Sequence, residues 1–152
     1  MLTPHSQSSM KAVSKSALVP YQASQMYELV KDVERYPQFL PWCGGAKIIE
    51  SFSDGVVGTV EINKGKVQKS FTTRNQFIKD REISMELLEG PFSSLQGAWT
   101  FEPIGEQGCR VSLNLEFDFS STIASMTIGP VFNLIADKLL DAFVEEADRL
   151  YG

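Results

Sequence analysis

The stretch Ile128-Gly-Pro-Val-Phe-Asn-Leu-Ile-Ala-Asp-Lys-Leu-Leu-Asp-Ala-Phe-Val-Glu-Glu-Ala-Asp-Arg-Leu-Tyr151 decides the fold. Its apolar residues recur at Ile128, Val131, Phe132, Ile135, Leu139, Phe143, Ala147 and Leu150. Steps of three and four put them on one stripe of a helix. Asp137, Lys138, Asp141, Glu145, Glu146, Asp148 and Arg149 mostly fall off that stripe and read as a solvated face. From Pro130 to Leu150 the helix is about 30 Å long at ~1.5 Å per residue. Alone it is unstable, so it needs a broad apolar surface to lie on. Gly129-Pro130 predicts a kink, or a fresh start with Pro130 in the first helical position. Ser120-Ser121-Thr122 can cap a preliminary turn carrying Ile123 and Met126.

The partner surface lies upstream, where the chain reads as strands. Cys109 to Phe119 alternates strictly: Cys109, Val111, Leu113, Leu115, Phe117 and Phe119 face one way, and Arg110 to Asp118 the other. That period of two marks an antiparallel sheet with one wet and one buried face. Ser94 to Glu102 carries Leu95, Gly97, Trp99 and Phe101 on one face, and Gly97 there is expected to leave room. Arg81 to Leu88 and Val67 to Ile78 alternate in the same way. Ala46 to Phe52 and Val56 to Ile62 flank the hairpin turn Ser53-Asp54-Gly55. Lys11 to Val19 reads as a first strand, and Met26 to Val33 as a short helix capped near Ser24 and closed by Pro37. Between helix and sheet stands Tyr36-Pro37-Gln38-Phe39-Leu40-Pro41-Trp42-Cys43, expected to form a rigid apolar corner. The fold class is α+β: one antiparallel sheet against one long helix.

Bulk composition agrees with one domain over 11–152. The chain has 152 residues, 43% hydrophobic and 22% charged, with net charge −5. An acidic balance argues against gripping DNA, and no apolar run approaches the ~20 residues of a membrane span. Residues 1–10 are polar and read as a disordered tail, without a secretory signal or transit peptide, and Met10 is an alternative start. Cys43 and Cys109 then read as reduced thiols of a cytoplasmic protein.

Catalytic chemistry has few candidates. The single histidine is His5, in the tail, so the common general base and any Ser-His-Asp or Cys-His pairing are missing from the folded part. No metal-ligand spacing, P-loop or dinucleotide fingerprint occurs. Lys64, Lys66, Lys69 and Arg74 form one basic run, read either as solubility or as contact with RNA phosphate or anionic lipid. Trp99, Phe101, Phe117, Phe119, Phe132 and Phe143 read either as core or as ligand contacts. A curved sheet and a straight helix meet unevenly, which favours an apolar cavity.

The order of elements, the Tyr36–Cys43 corner, Ser16-Ala17-Leu18-Val19-Pro20-Tyr21 and Gly129-Pro130-Val131-Phe132 together resemble the coenzyme Q-binding and ribosome-association toxin (RatA) family. That family is part of the START-like, polyketide cyclase/dehydrase superfamily. The resemblance implies a helix-grip fold, with six or seven antiparallel strands wrapped around the C-terminal helix and a lipophilic cavity between them. It also implies that Tyr36, Pro37, Phe39, Leu40, Pro41 and Trp42 line or gate the cavity entrance.

Two functions follow as expectations. The first is non-enzymatic binding of ubiquinone or another polyprenyl lipid, in support of respiration. Its headgroup would sit near Trp42 and Trp99 and its tail along Phe132, Ile135 and Leu139, with no covalent cofactor. The second is a toxin that binds the 50S ribosomal subunit and blocks 70S formation. A cyclase-like enzyme is the third, weaker alternative. Membrane contact is expected to be peripheral at most.

Overall fold

The computed structural model describes residues 10–152, so the tail expected at 1–10 lies outside the described residues except for Met10. Strand β1 (Lys11–Val19) is followed by helix α1 (Ala23–Lys31), a 3-10 turn (Val33–Arg35) and the four-residue helix α2 (Tyr36–Phe39). Strands β2 (Cys43–Phe52), β3 (Gly55–Lys64), β4 (Val67–Ile78), β5 (Glu82–Glu89), β6 (Phe92–Ile104) and β7 (Gly108–Phe119) come next. Helix α3 (Thr122–Thr127) and the long α4 (Gly129–Tyr151) end the chain.

All seven strands form one sheet in the order β1-β7-β6-β5-β4-β3-β2, with every pairing antiparallel. Successive strands from β2 to β7 pair through short turns, and β1 returns beside β7 at the far edge. The connection through α1 and α2 therefore runs from one edge of the sheet to the other. Register breaks leave Gly44, Ile49, Leu88 and Ser93 as extra residues. Such bulges bend strands and increase twist, which curves the sheet around α4.

Strand β7 alternates as its sequence predicts. Val111 and Leu113 are wholly buried, and Cys109, Leu115, Phe117 and Phe119 are nearly so. Helix α4 buries Phe132, Ile135, Ala136, Leu140, Phe143 and Ala147 against the sheet. Leu140, outside the expected stripe, is more deeply buried than Leu139, while Leu150 is exposed.

Several local expectations are corrected. Helix α1 does not run to Pro37: it ends at Lys31, and Pro37 sits inside the first turn of α2, where a missing N–H costs nothing. The cap of α1 comes from a neighbour of Ser24, as expected there: Gln25 Oε1 accepts from the Gln22 N–H at 2.9 Å. Ser121 does cap α3, its hydroxyl accepting from the Ala124 N–H at 3.0 Å. A break at Ile128 then starts α4 at Gly129, with Pro130 second.

Glu146 is not part of a solvated face. It is 4% exposed, and its carboxylate accepts from Arg149 Nε at 2.8 Å and from Arg35 Nη2 at 3.2 Å. Two guanidinium groups offset the cost of burying one carboxylate. Gly97 does not leave room either. A Cβ there would stand 2.4 Å from the Asn114 carbonyl oxygen and 2.9 Å from Leu115 Cδ1, so β7 already fills the space.

Candidate functional site

The core is built as two clusters rather than one. The first gathers α1, Leu40, Ile83, Trp99, Phe101 and the C-terminal half of α4 around Phe143. The second gathers Phe92, Leu95, Phe117, Phe119, Ile128 and the N-terminal half of α4 around Phe132. Rings meet edge-on at both centres: Trp99 lies 5.0 Å and Tyr36 5.3 Å from Phe143, and Phe92 and Phe117 each lie 4.8 Å from Phe132. Trp42 and Met85 touch both clusters.

Between the clusters lies a cavity of about 90 Å³. Its walls come from the corner, the inner face of β3 to β7, and α4. Tyr36, Trp42, Trp99, Phe132, Ile135 and Leu139 line it, joined by Val60, Ile62, Phe71, Leu95 and Phe143. Six of the ten residues expected to contact a ligand are thus brought to one cavity.

The other four are not there. Leu40 turns into the first core cluster and is 1% exposed. Pro37 is exposed on α2. Phe39 and Pro41 face an outer groove instead, shared with Trp42, Leu134, Ile135, Lys138 and Lys64. The backbone is the physical reason: the turn of α2 points Pro37 and Phe39 in different directions from Tyr36, and Leu40 then leaves the helix in extended geometry. Trp42 and Ile135 line both spaces, so Trp42 forms part of the partition between the cavity and the outside.

The polar groups of the cavity were not singled out from sequence. Thr73 and Asn75 share the parity of Phe71 and Phe77 on β4, and that parity faces inward. Both are buried, at 8% and 7% exposure. Thr73 Oγ1 donates to Asn75 Oδ1 at 2.7 Å. Tyr36 is the one titratable side chain on the wall. Its hydroxyl donates to the Val30 carbonyl at 2.5 Å, and burial pushes its phenol well above the ordinary value. A phenol so held stays protonated near neutral pH. The cavity can therefore bind and orient, but it presents no general base.

The basic run is divided by strand alternation. Lys64 and Lys66 stand exposed at the β3–β4 hairpin, and Lys69 is exposed further along β4. Arg74 instead lies mid-strand with its guanidinium 4.4 Å from the Phe52 ring centre. Four cations on one patch are not what the structure presents. Cys43 and Cys109 are both free and buried, and burial raises both thiols. Among the described residues, no group of three or more His, Cys, Asp or Glu is placed to hold a metal ion. Nor is any helix among them long and apolar enough to cross a membrane.

Residues 19–144 match the family model described as polyketide cyclase / dehydrase and lipid transport. The ribosome association toxin RatA of Vibrio cholerae is 43% identical, over 94% of this chain and 99% of that protein. The mitochondrial coenzyme Q-binding protein COQ10 homolog B of Xenopus laevis is 26% identical, over 91% of this chain and 59% of that protein. Among solved structures, the Zhui aromatase/cyclase from Streptomyces superposes with a TM-score of 0.78 at 21% identity, covering 92% of this chain and 94% of that one. At that identity the superposition speaks for the fold alone.

Proposed function

The chain belongs to the polyketide cyclase/dehydrase and lipid transport family, and from that premise we propose that it is a non-enzymatic binder of a hydrophobic polyprenyl lipid such as ubiquinone. One observation carries this reading: an apolar cavity walled by Trp42, Trp99, Phe132, Ile135 and Leu139, with no charged residue on its lining. The similarity to a protein named for coenzyme Q binding supports the choice of lipid. At about 90 Å³ the cavity holds roughly three waters. Ligand sites for molecules of moderate size run from about 300 Å³ upward. Loading therefore requires the two core clusters to part, with Trp42 yielding towards the outer groove. Solvent extraction of the protein purified from its host, followed by mass spectrometry, tests the reading. Co-purified quinone or prenyl lipid is expected, and its absence together with no binding on titration would overturn it.

A second reading is favoured by the 43% identity to proteins named for ribosome association. In it the chain binds the 50S subunit and blocks 70S formation, with Lys64, Lys66 and Lys69 on the exposed hairpin near ribosomal RNA. The net charge of −5 works against such contact elsewhere on the surface. Sucrose-gradient profiles after overexpression decide it: co-sedimentation with 50S and loss of 70S particles support it, and an unchanged profile removes it. The two roles are compatible, because the hairpin surface and the cavity are distinct.

A further inference from the structure

We propose that Asn75 is the headgroup donor of the cavity, and that it restricts the ligand to uncharged lipids whose polar end is a hydrogen-bond acceptor such as a carbonyl. The inference rests on the lipid-binding reading above and deepens it.

The argument starts from what the polar pair leaves uncommitted. Thr73 Oγ1 spends its proton on Asn75 Oδ1. That bond fixes the amide and turns its nitrogen away from Thr73. The nitrogen makes no hydrogen bond among the described residues. Among the described residues, every side-chain nitrogen or oxygen fully shut away from open space does have a partner. The amide nitrogen of a residue 93% buried (7% exposed) that lines the cavity therefore faces the cavity. Its N–H groups can only donate. The indoles of Trp42 and Trp99, on the same wall, are likewise donors only. The Tyr36 hydroxyl spends its one proton on the Val30 carbonyl, so among these groups Asn75 and the two indoles are the donors left to a ligand.

Charge decides the rest. No Asp, Glu, Lys, Arg or His lines the cavity. An ionised carboxylate or phosphate brought in would lose its hydration with no counter-charge to replace it. A neutral carbonyl or ether oxygen loses far less, and regains a hydrogen bond from Asn75. A ligand with no oxygen leaves that donor unsatisfied. The site thus discriminates on both sides, against anionic lipids and against pure hydrocarbons.

Titration of the full chain, followed by tryptophan fluorescence at pH 8, tests this with decylubiquinone, n-decylbenzene and decanoate as probes. The wild-type chain is expected to bind decylubiquinone tighter than decylbenzene, and decanoate at least about tenfold more weakly. Asn75→Leu is expected to weaken decylubiquinone about fivefold to tenfold and leave decylbenzene unchanged or tighter. Thr73→Val, which frees the amide to rotate, should weaken decylubiquinone in the same direction and less. Decanoate binding as tightly as decylubiquinone overturns the proposal without any variant. So does an unchanged quinone-to-decylbenzene ratio in Asn75→Leu, or in Thr73→Val should the first variant not fold. Failure of both decylubiquinone and decylbenzene to bind the wild type instead removes the lipid-binding reading itself.

Discussion

Phe132 and Phe143 lie eleven residues apart on α4 and face the same way, each at the centre of its own aromatic cluster. Three turns of helix separate them, about 16 Å at ~1.5 Å per residue. The cavity occupies the interval, with Ile135, Ala136 and Leu139 as its floor. One helix thus holds two separately packed half-cores, and the space between them is where the sheet and the helix do not meet.

Truncating either anchor should damage its own cluster only. Phe143→Ala and Phe132→Ala are each expected to cost about 3–5 kcal/mol, the range for a large aromatic removed from a core. Among the described residues, no aromatic ring packs on both anchors. Apart from the cavity, Trp42 and Met85 that the clusters share, the two costs should therefore add within about 0.5 kcal/mol. Urea denaturation of the two single variants and the double variant measures both numbers. A large coupling between them would mean that the clusters form one packing unit.

The buried Glu146 makes stability depend on acid pH. The hydrogen bond from Arg149, with the charges of Arg149 and Arg35, holds its carboxyl below the ordinary value of 4.5 despite burial. As pH falls through 4.5 the unfolded chain takes up the proton first, so stability is fully present above that value and is lost as pH drops towards the folded pKa. Arg149 is 65% exposed, and solvent screening there limits the contribution to about 1 kcal/mol. Glu146→Gln should lower stability by about that amount at neutral pH and flatten the acid limb of the curve. Denaturation midpoints measured at several pH values below neutrality check the slope.

Much of this architecture is legible from residue spacing. The alternation of β7 and the three-four repeat of α4 report which side is buried, because burial on one face imposes those periods. Residues whose partners are remote are less readable. Glu146 looks solvated because Arg35, which helps to neutralise it, lies 111 positions away in the chain. Asn75 and Thr73 look like surface polar residues until their parity with Phe71 places them inside. The corner was readable as a corner, but only Tyr36 and Trp42 of it reach the cavity, while Leu40 enters the first core cluster and Phe39 and Pro41 line the outer groove.

Gly97 gives a test of close packing between β6 and β7. Any Cβ there meets backbone, the Asn114 carbonyl oxygen at 2.4 Å, so relief requires the strands to separate. Gly97→Ala should cost about 1–3 kcal/mol, as overpacking does, with a matching fall in Tm. A neutral or stabilising result would show that the space is open, as the sequence pattern suggested.

Trp42 is expected to control how fast a ligand enters. It is half-buried and lines both the cavity and the outer groove, so its indole is the movable part of the wall between them. Trp42→Ala removes that wall and should raise both the association and dissociation rates of decylubiquinone several-fold, while changing the affinity much less. A partition acts on the barrier more than on the bound state. The chain has two tryptophans, so the variant keeps Trp99 on the cavity wall as its sole indole reporter in stopped-flow quenching. Pro37→Ala, at an exposed site that lines neither space, should leave the rates unchanged. Equal rates in Trp42→Ala and wild type would place the entrance elsewhere, because Trp42 lines both spaces and Trp99 lines the cavity alone.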